Sequence, residues 1–111
     1  MEAALKAIAE PRRRRILRLV WDAERSAGDI ASHFDVSRPA ISQHLTVLRT
    51  AGLVTEQRDG ARRLYRANRH ALAELHASLQ AFWSGSLKTL EEEVEAEEGT
   101  RRGRRRVHRQ Q

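Results

Sequence analysis

Arg38, Ser42, Thr46 and Arg49 follow one another at steps of about four residues, and Gln43 stands next to them. On a helix this spacing gathers the side chains on one side. Their chemistry suits the edges of base pairs: arginine can grip guanine with two hydrogen bonds, and glutamine can do the same to adenine. Ser37, Ser42 and the start of such a helix suit phosphate oxygens. His44 stands beside this group, where a phosphate contact and plain packing are both open. A second basic set, Arg58, Arg62 and Arg63, brackets Asp59 and Gly60. Arginines on an exposed hairpin can reach flanking phosphates or a minor groove. The same charges could also serve only to protect an edge strand. Arg12, Arg13, Arg14 and Arg15 form a third set. Four consecutive residues on a helix cannot share one face, so some of these are expected to approach DNA or to pair with acids such as Asp22, and a solvated face is the alternative.

Other chemistries find little support. The chain has no cysteine, which excludes disulfides, thiolate metal sites and cysteine redox sensing. His33, His44, His70, His76 and His108 are scattered. His70 and Glu74 lie one helical turn apart, but no repeated ligand pair follows, so no metal and no cofactor is expected. Nothing arranges a nucleophile with a base or sets two carboxylates against each other, and Glu91, Glu92, Glu93, Glu95, Glu97 and Glu98 read as a solvated helix end. The chain is not expected to be an enzyme.

The elements that position the basic groups can be read from caps and periodicity. Ala3, Ala4, Leu5, Ile8 and Ala9 suit a short first helix. Pro11 opens a second, expected to run to Asp22 with Ile16, Leu17, Leu19, Val20 and Trp21 on its buried face. Ser26 caps a short third helix, in a capping box with Asp29, whose inner face is Ala27, Ile30, Ala31 and Phe34. Asp35 and Val36 make a tight turn. Ser37 caps a fourth helix, with Pro39 tolerated in its first turn. Ile41, Leu45 and Leu48 face inward there, and Gly52 fits the left-handed position after its end. Two strands, 53–58 and 62–66, flank the Asp59-Gly60 tip. Asn68 can cap a last long helix. Along it Leu72, Leu75, Leu79, Phe82, Trp83, Leu87, Leu90 and Val94 recur at three and four residues, close to a heptad seam. Gly85 interrupts this seam at a cost of ~1 kcal/mol against alanine. Phe82 and Trp83 suit a core, a dimer interface or a ligand pocket. From Gly99 onward the chain is rich in arginine and poor in apolar residues, and it is expected to be a disordered tail.

This order is that of a winged helix-turn-helix: mainly α, about five helices, with a two-stranded β-wing. One domain, 1–98, accounts for it, followed by the tail, 99–111. The chain has 111 residues and a net charge of +6. The acidic block at 91–98 and the tail arginines nearly cancel, so the positive balance belongs to the body, as suits a polyanion partner. No apolar run reaches the ~18 residues of a membrane span. The segment from Met1 to Lys6 lacks the features of a signal peptide. A cytoplasmic protein is expected.

Three stretches resemble the ArsR-type regulators: L-K-A-I-A-E-P-R-R-R-R-I-L-R-L-V from Leu5, D-I-A-S-H-F-D-V-S-R-P-A-I-S-Q-H-L-T-V-L-R-T-A-G-L-V from Asp29, and D-G-A-R-R-L-Y-R from Asp59. The resemblance covers roughly residues 3–98. It implies a homodimer built from the first and last helices, with Leu5 and Ile8 joining Leu72, Leu75, Leu79, Phe82, Trp83, Leu87 and Leu90 at the interface. It implies a double-stranded operator of dyad symmetry and, usually, repression. Base-reading positions of the family fall on Arg38, Ser42 and Gln43, with Pro39 beside them, and its wing contacts on Arg62 and Arg63. The metal-sensing branch carries a Cys-x-Cys pair where this chain has Gly28-Asp29-Ile30-Ala31, and His70 and His76 do not reproduce its other ligand spacing. The segment from Phe82 to Glu93 is more similar to the branch without recognised metal ligands, in which a small-molecule effector is often unknown. The alternative is a winged-helix module that docks on proteins and reads no DNA.

Overall fold

Helix starts marked in the sequence are capped in the structure, a computed structural model that describes residues 1–101. Helix α1 spans Glu2–Ile8 and α2 spans Pro11–Leu19. Pro11 occupies the first turn of α2, and the Glu10 carboxylate accepts the Arg12 N–H. Strand β1 is Arg25–Ser26, and α3 follows at Ala27–Ala31. The Ser26 hydroxyl accepts the Asp29 N–H at 3.1 Å. The reciprocal half of the expected capping box is replaced by an ion pair, since Asp29 Oδ2 lies 2.8 Å from Arg25 Nη1. Helix α4, Arg38–Thr50, begins at Ser37, whose hydroxyl accepts the Ala40 N–H at 3.2 Å. Such a cap stabilises a helix by ~1 kcal/mol.

The end of α4 is equally well defined. Gly52 has φ +80°, its N–H reaches the Arg49 carbonyl at 2.9 Å, and the Leu53 N–H reaches the Leu48 carbonyl at 2.9 Å. This paired closure needs a residue that tolerates positive φ, which glycine does without a Cβ clash. Strands β2, Val54–Asp59, and β3, Arg62–Ala67, form the wing. They are antiparallel, from Val54 opposite Ala67 to Asp59 opposite Arg62. The turn is therefore Gly60-Ala61, one residue later than expected, with Gly60 at φ +65°. A third strand joins the expected two: β1 pairs with β3, Arg25 opposite Tyr65 and Ser26 opposite Leu64, giving the order β1-β3-β2. Two residues between charged and small neighbours carry no alternation from which that strand could be read.

The chain forms two units, Met1–Leu75 and a second that starts at His76. The core of the first contains Ala7, Ile16, Leu17, Val20, Ile30, Ile41, Leu45, Leu48, Leu53, Val54, Tyr65 and Ala67. All four helices before the wing and both of its long strands supply it. Each fully buried isoleucine or leucine stabilises the fold by about 1.5–3 kcal/mol. Helix α2 stops at Leu19, short of the expected Asp22. The Val20 carbonyl turns to accept the Ala67 N–H at 2.9 Å, which ties the end of α2 to the sheet. Trp21, expected on the buried face, lies beyond the helix end and is 37% exposed. Arg69 stacks over its ring at 5.4 Å and donates to its carbonyl at 2.8 Å.

Helix α5 spans Arg69–Arg101. Asn68 caps it, its Oδ1 accepting the Ala71 N–H at 3.2 Å. The helix runs through Gly85, whose carbonyl accepts the Thr89 hydroxyl at 3.1 Å, and continues past Gly99. Residues 102–111, which hold most of the expected disordered tail, lie outside the described residues. No helix among the described residues is long and apolar enough to cross a membrane.

Candidate nucleic-acid interface

Helix α4 has a dry side and a wet side. Ile41, Leu45 and Leu48 are buried, while Arg38, Pro39, Ser42, Gln43, Thr46 and Arg49 are exposed. At 100° per residue, Ser42, Gln43 and Thr46 fall on the side away from the three buried residues, and Arg49 lies at its edge, one turn after Leu45. The Thr46 hydroxyl donates to the Ser42 carbonyl at 3.0 Å. The Arg38 guanidinium lies over α3, 3.5 Å from where a Cβ on Gly28 would sit. His44 is not part of this face. Its side chain is only 17% exposed, with Nε2 3.9 Å from Glu10 Oε2 and Nδ1 3.3 Å from Arg13 Nη1. Burial pushes the Glu10 carboxyl up, but the Arg12 N–H, His44, Arg13 and the Arg12 guanidinium outweigh it and hold the group below the ordinary glutamate value. The position four residues after Ala40 explains the turn of His44: it falls beside Ile41 and Leu48 on the inner half of the helix.

The wing sorts its arginines onto two faces. Cross-strand partners share a face, and alternate pairs switch sides. Arg58 stands opposite Arg63, on the same face as Glu56 and Tyr65. Arg62 stands opposite Asp59, on the other face with Arg66. The three wing arginines grouped by sequence thus divide, and Arg66, exposed on the same face as Arg62 two pairs further along the strand, carries no such signal in the sequence. Neither does Glu56. Its Oε1 lies 3.7 Å from Arg49 Nε on α4, and its Oε2 lies 3.4 Å from Arg63 Nε on β3. The Tyr65 hydroxyl donates to the same Oε2 at 3.2 Å. Burial, helped by the Glu56 charge, pushes the Tyr65 phenol up, so it stays a donor. Only strand alternation could have signalled this cluster, and it needs the register to be known.

The run from Arg12 to Arg15 serves the body. Arg13 Nε donates to the Ala7 carbonyl at 2.7 Å, Arg13 Nη2 to that of Lys6 at 3.2 Å, and Arg14 Nη1 to that of Ile8 at 2.8 Å. These carbonyls lie in the last turn of α1, where backbone partners run out, so side chains of α2 help to cap the helix before it. Arg15 donates to the His33 carbonyl at 3.1 Å and stacks on Phe34 at 4.4 Å. Asp22, an expected partner of this run, pairs with Arg69 instead, at 3.2 Å.

The residues expected at a dimer interface divide too. Leu75 is buried, and Ile8 and Leu72 are partly buried against the core of the first unit. Leu5 and Leu79 are half-buried. Phe82 and Trp83 are 61% and 62% exposed, and Leu87, Leu90 and Val94 are exposed as well. Among the described residues no group of three histidines or acids is placed to hold a metal, and His70 Nε2 lies 3.5 Å from Glu74 in an exposed contact.

The model of the bacterial regulatory protein, arsR family, matches residues 10–56, from the cap of α2 to Glu56 on the wing. The chain is 36% identical over 96 residues to HTH-type transcriptional regulator Rv2034 of Mycobacterium tuberculosis, covering 86% of this chain and 90% of that one. The chain belongs to the arsR family. This arsR-family chain is also 40% identical to the transcriptional repressor SdpR of Bacillus subtilis over 67% of its own length and 82% of the repressor's. A crystal structure of a possible transcriptional regulator for arsenical resistance is 44% identical, with a TM-score of 0.69, covering 81% of this chain and 94% of that one. The homodimeric winged helix-turn-helix DNA-binding domain Mb0332 of Mycobacterium bovis, solved in solution, is 32% identical, with a TM-score of 0.62, over 75% of this chain and 77% of that one. The relatives are named as regulators of transcription, and an arsR-family winged helix is a transcriptional regulator that binds DNA.

Proposed function

We propose that this arsR-family protein is a repressor that binds a dyad-symmetric operator as a homodimer. Two copies lay their α4 helices in successive major grooves, ~34 Å apart. Arg38, Ser42, Gln43 and Thr46 meet base edges, with Pro39 beside them, and Ser37 meets a phosphate. Arg49, Arg58 and Arg63 follow the backbone on one side of the wing, and Arg62 reaches it from the other. His44 holds α4 against α2 and touches no DNA. Acting on bacterial DNA puts the protein in the cytoplasm.

One observation carries this reading. The exposed polar residues of α4 are linked, through Arg49 and Glu56, to Arg63 on the wing. A docking face for proteins is more apolar than this at its centre. The second copy is supported by Phe82, Trp83, Leu87 and Leu90, which expose large apolar surface on α5, and by the homodimer of the Mycobacterium bovis relative. The repressor role is supported by the likeness to SdpR.

The test is selection from a random-sequence duplex library by the purified protein. The enriched duplex and a random one of equal length are then compared by fluorescence anisotropy across a salt series. A dyad-symmetric sequence bound more tightly than random DNA is expected. Failure to enrich any sequence, with equal and steeply salt-dependent binding to both, would leave only non-specific attraction to phosphate.

A further inference from the structure

Glu56 is an acid in a surface that faces a polyanion. Its position is firmly set. Its cross-strand partner is Tyr65, a buried residue whose hydroxyl donates to Oε2 at 3.2 Å. The Glu56 side chain is 21% exposed, against 49% for Arg49 and 58% for Arg63. The carboxylate is thus the fixed point, and the two arginines are the parts free to move. One comes from α4 and the other from the wing, so Glu56 links the two halves of the candidate interface.

An arginine paired with a carboxylate is a poorer partner for phosphate than a free one. It must leave the acid, or share it, to neutralise the DNA. Non-specific binding consists almost wholly of such neutralisation, and each phosphate contact steepens the fall of log K with log salt by ~0.9. Specificity is the difference between two affinities, and it rises when the wrong partner is made worse. An acid that restrains Arg49 and Arg63 weakens every contact that relies on charge alone. It weakens less a complex in which base contacts on α4 fix the register and the arginines need move little.

We propose that Glu56 is a positioning and specificity-determining residue, which holds Arg49 and Arg63 so that they are withheld from random duplex. This rests on the reading of α4 and the wing as a DNA interface, and it adds a role for an acid that touches no base.

The test uses the full chain and its Glu56→Gln variant. Glutamine keeps an oxygen for the Tyr65 hydroxyl and removes the charge. Both proteins are titrated by anisotropy against the duplex enriched by the parent and against a random duplex, at several salt concentrations. Glu56→Gln is expected to bind random duplex roughly tenfold more tightly at low salt, with a salt slope steeper by about 1–2. The ratio of enriched to random affinity falls accordingly. Tyr65→Phe, which loosens the carboxylate without removing it, shifts the ratio in the same direction by less. A Glu56→Gln protein with the parent's slope and ratio overturns the proposal. So does one that loses affinity for the enriched duplex alone, because Glu56 would then be a direct contact. A parent that enriches no sequence overturns the functional reading itself, and this is seen before any variant is made.

Discussion

Two stretches of this chain use the same kinds of apolar residue to opposite ends. In the unit that ends at Leu75, Ile16, Ile30, Ile41, Leu45, Leu48 and Leu53 are fully buried. Along α5 from Phe82 onward, Phe82, Trp83, Leu87, Leu90 and Val94 stand in solvent. Spacing at three and four residues marks both stretches equally. What differs is whether the chain supplies a cover. The helices and the wing close over the first set, and among the described residues of the second unit nothing covers the exposed face of α5. Periodicity shows that a face asks to be covered, and only the packing shows whether the cover is the chain itself.

The contrast yields graded tests. Leu48→Ala opens the middle of the finished core, and urea melts should show a loss of about 2–5 kcal/mol. Trp83→Ala should leave a melt of the dilute protein nearly unchanged while weakening self-association by about 2 kcal/mol or more, the scale of an interface hot spot. An unchanged sedimentation profile would break the comparison, because the exposed face would then need no second copy. Gln43→Ala probes an exposed residue that is polar. It should cost about 1–3 kcal/mol on the selected duplex and alter neither the melt nor the association.

The smallest effect belongs to Glu10, whose carboxyl is held below its ordinary value. A group lowered on folding stabilises the native state fully above its unfolded pKa, and that contribution is lost as pH falls through the folded one. The melting temperature of the parent should therefore exceed that of Glu10→Gln at neutral pH, and the gap should close in acid. A gap that persists in acid would assign the role of Glu10 to shape and not to charge.

Much of the fold was legible because it depends on neighbours in sequence. Ser26, Ser37 and Asn68 act on N–H groups three residues ahead, and Gly52 closes α4 through backbone that a side chain would strain. The polar side of α4 was legible for the same reason, since helical spacing alone separates Ser42, Gln43 and Thr46 from Ile41, Leu45 and Leu48. What escaped depends on tertiary geometry. The carbonyls of α1 are reached by Arg13 and Arg14 only because α2 turns back on α1 after Glu10. His44 turns inward because Glu10 and Arg13 wait there. Glu56 meets Arg49 only where the wing leaves α4, and it meets Arg63 only through the strand register. Leu75 and Leu79 lie on one helical seam, yet Leu75 is buried and Leu79 only half-buried.

Asn68 has one more consequence. Its N–H donates to the Leu53 carbonyl at 2.8 Å, its Nδ2 to the Gly52 carbonyl at 3.0 Å, and its Oδ1 receives Ala71. The two ends of the wing are thereby clasped at the root, where α4 stops and α5 starts. Whatever is spliced between Gly60 and Ala61 is carried on that clasp and does not move the helices, and lengthening such a loop costs only ~0.6 kcal/mol per doubling. The tip of the wing is the place where this fold can grow, by descent or by design, while α4 stays as it is.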